Sequence, residues 1–155
     1  MDEQTCYEIL SKCRDGVVCT NGDDGFPYGT PVNYILMDGK IYFHGRQSGT
    51  KCDNISRDPR VCFTVYSHEN FEITGPATCN VTTNYTSVIV KGRCVPVTDQ
   101  EEKERILFAL VERLVPVKAV APVDPHRAAS TAVFSVTIDA VSGKRRRASP
   151  EHATV

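Results

Sequence analysis

The feature that most constrains the fold is a series of short β-rich runs joined by tight turns. Near the N-terminus the runs GVVCT, YGTPVNYILM and KIYFHG follow one another. NGDDG separates the first two, and the dipeptide DG, which favours a hairpin turn, separates the second and third. Turns this short join antiparallel neighbours, because parallel strands need a long crossover. The sequence therefore predicts an antiparallel three-stranded meander.

Later segments extend this β-rich pattern. RVCFTVYS and TAVFSVTIDAV each predict a strand, and YTSVIVKGRCVPV predicts a long strand that bends at Gly92. Residues 70–84, which lie between RVCFTVYS and YTSVIVKGRCVPV, are expected to be irregular with one short strand. About six strands without regular βαβ alternation favour a mainly antiparallel sheet that curls or closes into a barrel, with helices at its edges.

Helical periodicity is confined to three places. Apolar residues recur at helical spacing in the first dozen residues and again over Asp99–Leu114, where Asp99 is a suitable N-cap. A shorter helix is predicted over Ser48–Arg57, with Thr50 and Asp53 forming a capping box. The proline-punctuated stretch PVKAVAPVDPHRAAS is expected to be a loop, with a role as a lid or a dimer contact.

Length and composition indicate one ordinary globular domain. A chain of 155 residues can bury roughly 70% of its unfolded surface. We expect this domain to span residues 1–143, followed by a basic, disordered tail over 144–155. No run approaches the ~20 apolar residues of a membrane helix, and the acidic start lacks the order of a signal peptide. We therefore expect a cytoplasmic protein without a membrane partner.

The seven cysteines are scattered and include no C-x-x-C pair. This argues against a disulfide framework and a closed zinc site, so no metal is expected. A cluster of Cys13, Cys19 and His68 has no supporting spacing. Cys19, Cys62 and Cys79 are candidates for reactive thiols, but burial in strands is the simpler interpretation for the first two.

The segment IYFHGRQSGTK starts as a strand and continues as a polar, glycine-rich loop that enters the predicted short helix. A helix N-terminus presents backbone N–H groups and a positive dipole end to an anion. Arg46 and Lys51 add charges, and Ser48 and Thr50 add hydroxyl donors, which suits a phosphate monoester. The same residues also suit an ordinary capped helix with solvent-facing cations. Neither a G-x-G-x-x-G motif after a strand nor a P-loop motif is present.

Two stretches of the chain resemble the flavin-binding split-barrel proteins related to pyridoxamine 5'-phosphate oxidase. They are PYGTPVNYILMDGKIYFHGRQSGTKCDNISRDPRVCFTV and NYTSVIVKGRCVPVTDQEEK. Within them, the chain is most similar to the nitroimidazole-resistance (Nim-like) group. The resemblance covers roughly Cys6–Leu114, with a weaker match at VFSVTIDAVSGK. It implies a six-stranded antiparallel split β-barrel, mainly β with flanking helices, that forms a homodimer and holds FMN in each of two grooves between the subunits.

The resemblance also implies which residues contact FMN. His44 would lie near the flavin or its substrate and is the candidate catalytic residue. The phosphate would lie on the RQSGTK loop, and the ring system would lie beside the strand GTPVNY. The segment YTSV would contact the ring system from its other side or from the other subunit. The implied cofactor contacts are His44, Arg46, Gln47, Ser48 and Lys51; Pro31, Val32 and Asn33; Tyr85 and Ser87; and Lys144.

A Nim-like protein would be an FMN-dependent oxidoreductase that passes electrons to a small electron-poor acceptor such as a nitroaromatic ring, with a nicotinamide or another donor. The chain lacks a match to the C-terminal substrate segment of the oxidase, which disfavours vitamin B6 oxidation.

Two alternatives stay open. One is a flavin- or haem-binding sensor or carrier without turnover, in which His44, His68 or His126 would ligate iron. The other is a single-strand nucleic-acid binder, suggested by KRRR at 144–147 and by aromatic strand residues. It is disfavoured because the basic run is confined to the tail, so we expect no nucleic-acid partner.

Overall fold

A computed structural model describes residues 1–115 and 122–147. Within them, six antiparallel strands form a closed barrel in the order β1–β2–β3–β6–β5–β4. The strands are β1 (Asp15–Asn21), β2 (Pro27–Met37), β3 (Lys40–Gly45), β4 (Arg60–Ile73), β5 (Val81–Pro96) and β6 (Ala132–Arg146). The predicted mainly β, six-stranded antiparallel barrel with flanking helices is confirmed.

Helices flank the barrel in these residues. They are α1 (Glu3–Lys12), α2 (Thr50–Arg57), α3 (Gln100–Leu114) and α4 (Pro125–Ser130), with one 3-10 turn at Thr78–Asn80. The predicted cap of α3 is confirmed, since the Asp99 carboxylate accepts a hydrogen bond from the Glu102 amide at 2.8 Å. None of these helices is long and apolar enough to cross a membrane.

The capping box predicted for α2 is wrong. Gly49 is the N-cap, Thr50 is the first helical residue, and no side chain caps this end. Gly49 has a φ of 116°, a conformation that only glycine adopts without strain. The glycine turns the chain from β3 into α2, and this geometry takes the place of a side-chain cap.

In the described residues, the buried side chains form two clusters on opposite sides of the barrel wall. Inside the barrel, Tyr34, Phe43 and Phe63 are fully buried, and α1 contributes Leu10, whose carbonyl accepts a hydrogen bond from the Tyr34 hydroxyl at 2.7 Å. Outside it, α3 packs on a second cluster that includes Ile35. Neighbouring strand residues point to opposite faces, so Tyr34 and Ile35 supply different clusters.

The segment between β4 and β5 is more regular than the sequence indicates. Residues 70–84 were expected to be irregular, but β4 continues to Ile73 and β5 begins at Val81, forming a long hairpin. The register between β5 and β6 shifts between Lys91 and Gly92, which leaves Asp139 of β6 as the extra residue, and the bend expected at Gly92 stays a prediction. Each strand here supplies the backbone partners that the other needs, and local propensity does not reveal this.

The expected boundary of a disordered tail at residue 144 is also wrong. Strand β6 continues to Arg146, and Lys144, Arg145 and Arg146 pair with β5. The Arg145 guanidinium donates a hydrogen bond to the Thr86 hydroxyl at 3.2 Å. The rest of the predicted tail, 148–155, lies outside the described residues.

The proline-punctuated stretch was expected to be a loop throughout. Residues 116–121 lie outside the description, and Pro125–Ser130 form α4. The Asp124 carboxylate caps this helix by accepting from the His126 amide at 2.9 Å. The roles predicted for the proline-punctuated stretch, as a lid or a dimer contact, stay predictions.

Candidate functional site

The loop between β3 and α2 lines a groove of 260 Å³ at one end of the barrel. Strand β3 brings the chain to Gly45, and α2 starts five residues later. The groove is lined by Tyr28, Thr30, Arg46, Ser48, Gly49, Thr50, Lys51 and Cys52. The fold thus brings Arg46, Ser48 and Lys51 together, as the sequence predicts, and adds two residues of β2 that it did not indicate.

Lys51 is the principal charge of this groove. Its Nζ lies 5.1 Å from the centroid of the Phe43 ring and 5.5 Å from that of the Phe134 ring. Burial lowers the pKa of this ammonium group, because a half-buried cation loses hydration. No ion pair within residues 1–115 and 122–147 includes Lys51. A partly desolvated ammonium group without a carboxylate partner is well suited to bind an anion.

Two further features leave room and hydrogen-bonding capacity beside this ammonium group. A Cβ at Gly45 would lie 2.9 Å from Lys51 Nζ, so the glycine keeps the space free. The Thr30 Oγ1 is buried and has no hydrogen-bond partner in the structure as described. Buried hydroxyl groups are usually hydrogen-bonded, so Thr30 is available to a ligand. At the start of α2, the Cys52 amide donates to the Gly49 carbonyl at 2.8 Å, whereas the Thr50 and Lys51 amides have no acceptor among the described residues.

His44 lies at the end of β3, next to Gly45. Partial burial lowers the pKa of its imidazole, and the positive charge of Lys51 lowers it further. The ring is therefore neutral at neutral pH and offers one N–H donor and one acceptor.

The predicted ring-binding residues of β2 are divided between two faces. Val32 packs against the barrel core, and the Asn33 amide donates a hydrogen bond to the Asp15 carboxylate. Alternation places Pro31 with Asn33 on the outer face, whereas Tyr28 and Thr30 share the face of Val32 and reach the groove. Strand alternation places every second residue before the buried Tyr34 on the same face of β2. This signal could have indicated that Tyr28 and Thr30 face the groove.

Gln47 makes a structural contact outside this groove. Its Nε2 donates a hydrogen bond to the Ala129 carbonyl at 2.7 Å and so joins the loop to the end of α4. The Cys52 thiol donates to the Arg46 carbonyl at 3.2 Å and holds the loop from the other side. These bonds fix the backbone that carries Arg46 and Ser48.

The remaining predicted site residues, Tyr85, Ser87 and Lys144, form a separate group. Ser87 pairs with Lys144, and the Tyr85 ring lies 6.1 Å from the ring of Tyr66. Strand β6 pairs with the loop end of β3 through Ala132, and roughly 40 Å of extended strand separates this residue from Lys144. Within one chain, the fold does not bring this group to the groove.

No group of three or more His, Cys, Asp and Glu side chains is placed to hold a metal ion in the described ranges.

The sequence matches the family model of pyridoxamine 5'-phosphate oxidase over residues 2–145. The chain belongs to this family. The match spans the barrel from α1 to the last strand, which confirms the resemblance seen in the sequence. No curated protein sequence matches this chain.

Solved structures share this fold. A candidate 5-nitroimidazole antibiotic resistance protein from Bacteroides thetaiotaomicron is 22% identical, with a TM-score of 0.78, covering 92% of this chain and 82% of that one. A flavocytochrome from Azotobacter vinelandii is 26% identical, with a TM-score of 0.83, covering 95% and 68%. A FAD- and haem-binding protein from Mycobacterium smegmatis is 17% identical, with a TM-score of 0.84, covering 98% and 75%.

Proposed function

We propose that this member of the pyridoxamine 5'-phosphate oxidase family is an FMN-dependent oxidoreductase. It reduces a small electron-poor acceptor, such as a nitroaromatic ring, with electrons from a nicotinamide or another donor. The observation that carries the proposal is the half-buried Lys51 ammonium, which has no counter-ion in the described structure and lies beside an open groove.

The groove residues fit the phosphate of FMN. A phosphate monoester carries close to two negative charges at neutral pH and three strong acceptor oxygens. Lys51 and Arg46 supply charge, Ser48 supplies a hydroxyl donor, and the start of α2 supplies N–H groups. The Thr30 hydroxyl, buried without a partner in the described residues, would gain one.

Bound FMN would supply the redox chemistry, and the protein's task is to bind, orient and shield it. Pro31, Val32 and Asn33 of β2 lie on the strand that leads to the groove and remain the predicted neighbours of the ring system. His44, which is mostly neutral at neutral pH, would hold the acceptor by hydrogen bonds, and the small protonated fraction would deliver a proton to it.

The proposal includes a homodimer in which a second copy supplies Tyr85, Ser87 and Lys144. Two observations support it. These residues are remote from the Lys51 groove within one chain. In addition, the β4–β5 hairpin exposes Tyr66, Phe71 and Ile73 to 61%, 62% and 70%. Clustered exposed apolar side chains are typical of protein interfaces. Sedimentation of the parent and of Phe71→Ser tests the dimer.

The experiment that tests the cofactor is a visible spectrum of the purified protein, before and after adding FMN and then a reductant. A flavin spectrum that bleaches on reduction and recovers with a nitroaromatic acceptor supports the proposal. Failure to bind FMN would refute it. Because structural relatives include flavin- and haem-binding proteins, a haem carrier is the second candidate, and a Soret band would identify it.

The role of His44 is tested separately. His44→Ala is expected to retain FMN and to reoxidise more slowly with the acceptor, by about 10²-fold or more if proton delivery is lost. His126→Ala serves as the matched control, because His126 is an exposed histidine on α4. Loss of FMN from His44→Ala would instead make His44 a cofactor ligand.

A further inference from the structure

Two cysteines face each other on the outer wall of the barrel, away from the Lys51 groove. The register of β1 and β4 pairs Cys19 directly with Cys62. Both are half-buried and line a second groove, of 710 Å³. The expected strand positions of these cysteines are confirmed, but their side chains are only half-buried. Both thiols lie on the outer face of the sheet, where a reagent can reach them.

The surroundings of the pair confirm that both thiols lie on one face. The Cys62 sulfur lies 3.9 Å from the Thr64 hydroxyl, and Thr64 pairs with Val17, two residues before Cys19. On the other side of Cys19 the register places Gly29, where an added Cβ would lie 3.5 Å from the Cys19 sulfur. The missing side chain leaves the Cys19 thiol uncovered.

The spacing of directly paired residues suits a disulfide bond. Opposite residues of an antiparallel pair have Cβ atoms about 4.5–5.5 Å apart, and a disulfide has Cβ atoms about 3.5–4.5 Å apart. A small approach of β1 to β4 therefore closes the bond between Cys19 and Cys62. Burial raises the pKa of the Cys19 thiol, and charge on Cys62 raises it further, as expected for two thiols in close proximity.

The groove also has an available cation. Arg60 pairs with Asp58 at 2.6 Å, and Arg93 pairs with Asp139 at 3.5 Å. Lys91 is directly opposite Cys62 in the register of β4 and β5 and forms no ion pair with any described residue. A small disulfide that carries carboxylates would find a counter-charge here.

We propose that Cys19 and Cys62 form a redox-active dithiol that a low-molecular-weight disulfide, such as oxidised glutathione, converts to a cross-strand disulfide. One cysteine thiolate attacks the small disulfide, forms a mixed disulfide and releases one glutathione thiolate. The other cysteine then attacks the protein-bound sulfur and releases the second. The protein dithiol loses two electrons, the glutathione disulfide gains them, and the two thiol protons pass to the released thiolates. This site does not depend on flavin binding.

The test treats the full-length protein with oxidised glutathione and follows thiol titration, intact mass and peptide mapping. We expect loss of two of the seven thiols, a mass lower by two hydrogen atoms, and a peptide pair linked through Cys19 and Cys62. Dithiothreitol should restore both thiols. Cys19→Ser and Cys62→Ser should each keep one glutathione on the remaining cysteine of the pair. Cys79→Ser, which removes an exposed cysteine elsewhere, should behave like the parent.

Persistent glutathione on Cys19 or Cys62 of the parent would overturn the proposal, because the second thiol would then not reach the first. Modification of Cys79 with Cys19 and Cys62 left as free thiols would overturn it as well. If the serine variants fold poorly, the peptide map of the parent alone decides between these outcomes.

Discussion

Replacement of Lys51 by alanine is the perturbation that most directly tests the proposed phosphate site. In the ligand-free protein, the ammonium group lies over two aromatic rings and pairs with no carboxylate among the described residues. The substitution removes a cation–π contact of about 0.5–1 kcal/mol and relieves the desolvation of a charge. These effects oppose each other, so the free energy of unfolding should change by less than about 1 kcal/mol.

FMN binding should respond much more strongly. A hydrogen bond from an ammonium group to a phosphate contributes about 1.5–3 kcal/mol, because the bond is charge-assisted. At 1.4 kcal/mol per factor of ten, Lys51→Ala should raise the Kd for FMN by roughly 10- to 150-fold. The affinity for riboflavin, which has the same ring system but no phosphate, should not change.

The assay is a titration of each flavin by quenching of its fluorescence, with urea unfolding of the same samples. Lys40→Ala is the matched control, since Lys40 is exposed as the first residue of β3. Equal FMN affinity in Lys51→Ala and the parent would refute the phosphate assignment. An equal loss for FMN and riboflavin would refute it too, because Lys51 would then act on the ring system.

Further predictions concern protonation and helix ends. Burial lowers the pKa of Lys51 in the free protein, and bound phosphate should raise it. FMN affinity should therefore fall as pH rises through the alkaline range between the free and the bound pKa, while riboflavin affinity stays constant. An FMN affinity that does not change with pH would count against this. Asp99→Ala should lower the free energy of unfolding by about 1 kcal/mol because a cap is lost. Thr50→Ala should change it by less than about 0.5 kcal/mol, since Thr50 makes no cap, and a cost equal to that of Asp99→Ala would contradict the structure. Gly49→Ala should cost about 1–3 kcal/mol in urea unfolding because of its positive φ, and an unchanged midpoint would show that the turn tolerates a side chain.

Much of the fold could be predicted because its signals are local. The short turns between the first β-rich runs require antiparallel neighbours, and the apolar stripe that begins after Asp99 requires a helix there. The extents of β4, β5 and β6 could not be predicted in the same way. Residues such as Phe71 and Lys144 become strand residues because a distant segment supplies their hydrogen-bond partners.

Part of the candidate site could also be predicted from local sequence, and part depends on the tertiary structure. Arg46, Ser48 and Lys51 are close together in the chain, so the sequence alone determined that they share one loop at the start of a helix. That Thr30 of β2 lies beside them, without a hydrogen-bond partner in the described residues, depends on the closure of the barrel.

The sequence by itself determined the antiparallel order of the first strands, the polar loop and its charges, because these follow from the chemistry of neighbouring residues. Only the tertiary structure decided that Lys51 is half-buried over Phe43 and Phe134 and that Cys19 faces Cys62. Both results depend on the register between segments far apart in the chain. Register is set by the simultaneous burial of many side chains in the barrel, which no single stretch of sequence encodes.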